Sequence, residues 1–179
     1  MKRPNVPLRS SIGFQLDYDG MPIAPVMTAG SCGKNLHRHV RLRTRSFHKS
    51  IFSAKLAQFP KLKLLYAECQ IGWIPYFIER ADDTWQTHQW AQGETRLPKP
   101  PSEYYKDQIF SCFFKDTVGV DLIERVGLDQ VMFETDYPHQ DGTFPNSLET
   151  AENLFGHLPQ DQVNKIAREN AIRLFDLDL

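Results

Sequence analysis

The sequence predicts a single α/β domain in which parallel strands alternate with helices. Short apolar runs recur along the chain and end in polar residues, and segments with helical periodicity follow them. Such an alternation is typical of βαβ units, which build a parallel sheet. A chain of 179 residues with 41% hydrophobic residues is also long and apolar enough for one domain with a core.

Four apolar runs are predicted as strands. They are "MPIAPVMTAGS" at 21–31, "LKLLYAEC" at 62–69, "QIFSCFFKD" at 108–116 and "QVMFETD" at 130–136. Residues 1–20 are predicted to be an irregular lead, and residues 21–179 to form the domain.

Helices are predicted between and after these strands from apolar spacing, proline and glycine. They run from Phe47 to Phe59, from about Pro75, through "TVGVDLIERVG" to Gly127, from Asn146 or Ser147, and from Gln160 to Phe175. The proline-rich segment "AQGETRLPKPPSEYYKD", residues 91–107, is predicted to be a long loop. Four strand–helix units fit half of an eight-fold barrel or a small open doubly wound sheet, and their number does not decide between the two.

Composition excludes several classes of protein. No apolar run approaches about 18 residues, so we expect neither a membrane span nor a membrane partner. The N-terminal residues lack the apolar core of a signal peptide. Three cysteines, Cys32, Cys69 and Cys112, are too few and too scattered for a disulfide framework, so a reducing, cytoplasmic setting is expected.

Positive charge is concentrated between Gly20 and Ala67, which hold nine Lys or Arg and no Asp or Glu. The densest part, Lys34 to Lys49, contains one aromatic residue, Phe47. Nucleic-acid binding usually needs aromatic residues interleaved with the basic ones. We therefore interpret this stretch as a solvated basic surface and expect no nucleic-acid partner.

Candidate site residues lie where strands end, because sites in parallel α/β folds form at the carboxyl ends of strands. This rule selects Ser31, Glu68, Asp116, Asp136 and His139. A carboxylate after an apolar strand needs a metal, a cation or hydrogen-bond donors. Asp136 therefore fits a metal ligand or a general base, and equally an Asp that caps a turn. Glu68 fits a ligand, an acid/base or a structural anchor.

Several segments resemble the amidohydrolase-related family, which includes aminocarboxymuconate-semialdehyde decarboxylase. The resemblance runs from about Met21 to the C-terminus, and its most specific parts are "GWIPY" at 72–76 and "DYPH" at 136–139. It implies the C-terminal half of a TIM-type (β/α)8 barrel and a divalent metal, most often zinc. The implied chemistry is hydrolysis or non-oxidative decarboxylation of a small carboxylated or cyclic substrate.

The family implies specific roles for individual residues. Its metal ligands are a His-x-His pair on the first strand, a histidine on the fifth and an aspartate on the eighth, which Asp136 matches. His139 follows as an electrostatic or substrate-facing residue. Glu68 stands where some relatives carry a histidine, as an acid/base or a residue beside the metal.

The chain also departs from the family pattern. Its His37-Arg38-His39 triplet lies in the basic stretch rather than on an early strand, and Val26 or Thr28 occupies the position of the fifth-strand histidine. We interpret the chain as a C-terminal fragment, a truncated gene product or a degraded paralogue of an enzyme of this family, active or inactive. The alternative is a non-catalytic half-barrel that associates with itself or a partner through exposed strand edges.

Overall fold

A parallel four-stranded sheet forms the centre of the protein in a computed structural model that describes residues 11–13, 44–91, 93 and 96–179. The strands follow one another in the sheet in chain order. They are β1 (Ser11–Gly13), β2 (Lys63–Tyr66), β3 (Ile109–Phe113) and β4 (Val131–Phe133). The sheet is open over the described residues, which agrees with the predicted half-barrel.

Helices connect and flank the strands. They are α1 (residues 44–52), α2 (Lys55–Gln58), α3 (Ile74–Thr87), α4 (Pro101–Gln108), α5 (Thr117–Asp121), α6 (Ile123–Val126), α7 (Ser147–Phe155), α8 (Gln160–Asn164) and α9 (Asn170–Phe175). A π-helical turn, Lys165–Glu169, joins α8 to α9.

Apolar residues cover both faces of the sheet, which explains why β3 is buried along its whole length. One face packs into the main core, in which Phe113 of β3 contacts Phe133 and Phe155 with ring centroids 6.2 and 6.1 Å apart. The other face carries a smaller cluster of Phe110, Cys112 and Met132, against which α9 packs. Successive side chains of a strand point to opposite faces of the sheet, so β3 contributes apolar residues to both.

Three predicted strands are confirmed, each shorter than its sequence pattern. The first predicted strand, residues 21–31, lies outside the described residues. The strand that pairs with β2 on the side away from β3 is Ser11–Gly13, inside the stretch predicted to be an irregular lead. Cys69 and Cys112 are buried, as expected for small core residues.

The helices differ from the prediction at four places. The helix predicted over "TVGVDLIERVG" is split at Leu122 into α5 and α6. The predicted helix from Phe47 to Phe59 is interrupted at Ala54, which has a positive φ of 58°. The predicted 91–107 loop was wrong in its second half, which forms α4. Proline is compatible with the first helical turn, and Tyr104 and Tyr105 gain burial there. The predicted final helix contains the π turn.

No helix among the described residues is both long and apolar enough to cross a membrane. Trp73 and Trp85 pack against the core, whereas Trp90 is 83% exposed and has its ring centroid 6.5 Å from that of His88.

Candidate metal centre

Glu68 lies two residues beyond the end of β2, in a loop that bends sharply. Its φ of 53° is in the left-handed region, which side-chain-bearing residues seldom adopt. The backbone N–H of Glu68 donates to Oε1 of Glu134 at 2.6 Å. This bond joins the loop after β2 to the segment after β4, across β3.

Asp116 holds the other end of the same loop. Its Oδ2 accepts the backbone N–H groups of Ile71 and Gly72 at 2.5 and 2.6 Å, and its Oδ1 accepts that of Gly119 at 2.8 Å. A Cβ atom on Gly72 would lie 2.8 Å from Oδ1 of Asp116, so only glycine fits that approach. Asp116 is thus a structural cap of α5 that also fixes the Glu68 loop.

Asp136 lies three residues beyond β4, also with a positive φ of 53°. Its Oδ2 is 2.9 Å from Nδ1 of His139, and its backbone oxygen accepts the His139 N–H at 2.8 Å. The side chain of Asp136 is 14% exposed and that of His139 is 49% exposed. The carboxylate is therefore shielded, whereas the imidazole stands at the rim.

The loop that follows Asp136 is closed by hydrogen bonds to its own start. The N–H of Thr143 donates to the backbone oxygen of Thr135 at 2.9 Å. Lys115, after β3, donates through Nζ to the backbone oxygens of Asp141 and Gly142, at 3.2 Å each. These contacts hold the segment with His139 against the carboxyl end of β3.

Glu68, Asp136 and His139 come together at this edge of the sheet. One ligand atom from each lies within 4.8 Å of the others, and among the described residues this is the group of His, Cys, Asp and Glu able to hold a metal ion. In a tetrahedral site, ligands at about 2.0–2.2 Å from one ion lie about 3.3–3.6 Å apart. Side-chain adjustments of about 1 Å would bring all three onto one divalent cation, so the donor set fits a metal.

Cys112 of β3 is buried in the smaller apolar cluster with Phe110 and Met132. Burial, followed by the neighbouring Glu134 and Cys69, raises the pKa of the Cys112 thiol well above its ordinary value. Cys112 is therefore a neutral core residue rather than a thiolate ligand.

The structure brings together three of the residues selected from the sequence, Glu68, Asp136 and His139, and assigns Asp116 to a structural role. Ser31, the His37–His39 triplet, Val26 and Thr28 lie outside the described residues. Glu134 and Lys115 were not predicted. The signal available for Glu134 was its position two residues before Asp136.

The fold and the donor cluster define a class of protein: a partial (β/α) barrel with a cluster of potential metal ligands at the carboxyl ends of its strands. An amidohydrolase family model matches residues 24–177. The chain belongs to the amidohydrolase family. A search of curated protein sequences found no match.

Solved structures share the fold at low sequence identity. An amidohydrolase from Mycobacterium avium subsp. paratuberculosis K-10 has a TM-score of 0.68 and 21% identity, over 82% of this chain and 36% of that one. A 5-carboxyvanillate decarboxylase from Novosphingobium aromaticivorans, complexed with manganese, has a TM-score of 0.62 and 20% identity, over 78% and 40%. A 2,6-dihydroxybenzoate decarboxylase from Rhizobium has a TM-score of 0.58 and 22% identity, over 76% of this chain and 41% of that one. The chain thus spans well under half the length of these proteins.

Proposed function

We propose that this chain carries metal-dependent hydrolase or non-oxidative decarboxylase chemistry on a small carboxylated or cyclic substrate. The observation that carries the proposal is the convergence of Glu68, Asp136 and His139 within 4.8 Å at the carboxyl end of the sheet. Family membership and the amidohydrolase and decarboxylase activities of proteins with the same fold support it.

Each residue of the cluster has a distinct part in this proposal. Asp136 is the shielded carboxylate and the main metal ligand, matching the family's last-strand aspartate. Glu68 and His139 contribute one further oxygen and one nitrogen, which gives the three protein donors typical of a catalytic metal site. His139, at the rim, also faces the incoming substrate.

A divalent cation at this position would supply Lewis-acid polarisation of a substrate oxygen. The chain's own residues then orient the substrate and hold or move protons. The carboxylate of Glu68 would be suited to proton transfer, and the imidazole of His139 to a hydrogen bond with a substrate carboxylate.

The identity of the cation is an open part of the proposal. The family pattern suggested zinc, whereas the 5-carboxyvanillate decarboxylase from Novosphingobium aromaticivorans binds manganese. Two carboxylates and one imidazole suit manganese as well as zinc. We therefore propose a divalent transition metal and test both ions.

Metal titration of the purified chain tests the proposal. We expect one equivalent of Mn²⁺ or Zn²⁺ to bind in isothermal titration calorimetry, and Asp136→Asn to lower the affinity at least tenfold. Asp141→Asn removes an exposed carboxylate in the same loop and is expected to leave the affinity unchanged. A wild-type chain that binds neither ion would overturn the proposal.

A second candidate function is a non-catalytic module that associates with itself or a partner. The observation that favours it is a set of exposed apolar side chains after β4, one of the two outer strands of the described sheet. Tyr137 and Phe144 are each 64% exposed with ring centroids 4.7 Å apart, and Leu148 is 84% exposed. Light scattering after size exclusion tests this candidate, because a monomer at micromolar concentration would contradict self-association.

A further inference from the structure

We propose that Glu134 is a positioning residue that seats Glu68 against Asp136; this inference rests on the proposed metal site. The Oε1 atom of Glu134 accepts the backbone N–H of Glu68 at 2.6 Å. Glu134 is two residues before Asp136, so one short segment holds one carboxylate of the cluster and fixes the position of the other.

The conformation of Glu68 explains why its position needs such support. A residue with a side chain in the left-handed region is disfavoured by about 1 kcal/mol or more, and persists where its surroundings determine it. Asp116 holds Ile71 and Gly72 at the far end of the loop. Glu134 holds the near end, at Glu68 itself, where the direction of the side chain is set.

The hydrogen bond from the Glu68 N–H to Glu134 is strengthened by the surroundings of Glu134. Its backbone N–H donates to the oxygen of Phe113 at 3.0 Å, which extends the pairing of β3 and β4 beyond the strand end and fixes the residue in place. Its carboxylate is half-buried and close enough to Cys112 to contribute to the raised thiol pKa. A carboxylate in such surroundings makes strong hydrogen bonds to backbone N–H groups.

A purely structural role and a positioning role predict different outcomes. If Glu134 served only the fold, its loss would lower the melting temperature without a specific effect on metal binding. If it positions Glu68, its loss lowers metal affinity through Glu68. Partners that orient metal ligands typically contribute about 10- to 100-fold to affinity.

The experiment measures Mn²⁺ affinity of the whole chain by titration, with electron paramagnetic resonance of the free ion as readout. We expect Glu134→Ala to weaken binding about 10- to 100-fold. Glu134→Gln keeps an acceptor oxygen and is expected to stay within about threefold of wild type, since a neutral acceptor still accepts the N–H. If Glu134→Ala does not fold, Glu134→Asp, one methylene shorter, carries the same test and is expected to weaken binding.

Asp82→Ala is the matched control. Asp82, on α3, also accepts a backbone N–H through its carboxylate, from Ser102 at 2.9 Å, but it is not part of the cluster. We expect this variant to lose stability and to keep wild-type Mn²⁺ affinity.

A double-mutant cycle identifies the route of the effect. In a Glu68→Ala background, Glu134→Ala should cause little further loss of affinity, because the residue it positions is gone. Wild-type affinity in Glu134→Ala, or equal losses with and without Glu68, would overturn the inference. A wild-type chain that binds no Mn²⁺ would instead refute the proposed metal site itself, so the two failures are distinguishable.

Discussion

The imidazole of His139 contacts the carboxylate of Asp136, with Nδ1 2.9 Å from Oδ2. The two side chains differ in exposure, 49% for His139 and 14% for Asp136. The carboxylate is consequently the inner donor of the cluster and the imidazole the outer one. This order sets the expected size of each mutational effect on metal binding.

Replacement of His139 should weaken metal binding less than replacement of Asp136. His139→Gln removes a neutral donor at the exposed rim, whereas Asp136→Asn removes a charged, shielded one. We expect about a tenfold loss for His139→Gln and a larger loss for Asp136→Asn, measured by calorimetry with Mn²⁺. His157→Gln, at an exposed histidine outside the cluster, is the control and should bind as wild type. Equal affinity of His139→Gln and wild type would exclude the imidazole from the donor set.

Asn170 is expected to be a major contributor to stability. It is 2% exposed, and its Nδ2 donates to the backbone oxygens of Leu128 and Val131, at 2.8 Å each. These bonds fasten α9 to the start of β4. Asn170→Ala leaves both oxygens without this donor, so we expect a loss of about 2–3 kcal/mol in the free energy of unfolding.

Urea unfolding measures the effect of Asn170→Ala. Asn164→Ala is the matched control, because the Asn164 side chain is bonded to Gln160 at 2.9 Å on an exposed surface. We expect it to cost less than about 0.5 kcal/mol. Similar losses in the two variants would contradict the role given to Asn170.

The sequence predicted the parallel sheet and the three cluster residues because both follow from where apolar runs end. Glu68, Asp136 and His139 were found by strand position, and the "DYPH" motif supported Asp136 and His139. Glu134 was missed because its partner is a backbone N–H 66 residues away, a contact that no local pattern encodes. Asn170 was missed because apolar spacing assigns only apolar residues to the buried face of a helix. A polar residue such as Asn170 is then expected to face solvent. The α4 helix was missed because its prolines favoured a loop.

The two core cysteines should resist modification in the native protein. Cys69 and Cys112 are 1% and 7% exposed, and burial raises the pKa of Cys112, so little thiolate is present at pH 8. Because Cys32 lies outside the described residues, the test uses Cys32→Ser. We expect Ellman's reagent to label no thiol of this variant in native buffer and two in guanidinium chloride. Rapid native labelling would show that the main core at Cys69 or the smaller cluster at Cys112 is open to solvent.

Asp129 should make stability depend on pH in the acidic range. A hydrogen bond from Lys165, 2.9 Å from Oδ1, is the main cause that holds the pKa of Asp129 below its ordinary value of 3.8, and Arg173 adds to it. Because the folded-state pKa is the lower one, the carboxylate stabilises the fold above pH 3.8, and this contribution is lost as the pH falls through the folded value.

Asp129→Asn should therefore be less stable than wild type at pH 7, and the difference should shrink as the pH falls below about 4. Asp129 is 46% exposed, so solvent screening limits the expected loss at pH 7 to about 0.5–1 kcal/mol. Urea unfolding at a series of pH values measures both quantities, with Asp121→Asn, at an exposed position of α5, as the control. The outcome against this prediction is a difference in the free energy of unfolding between Asp129→Asn and wild type that stays constant from pH 7 to pH 3. Packing, rather than charge, would then be the source of the contribution of Asp129 to stability.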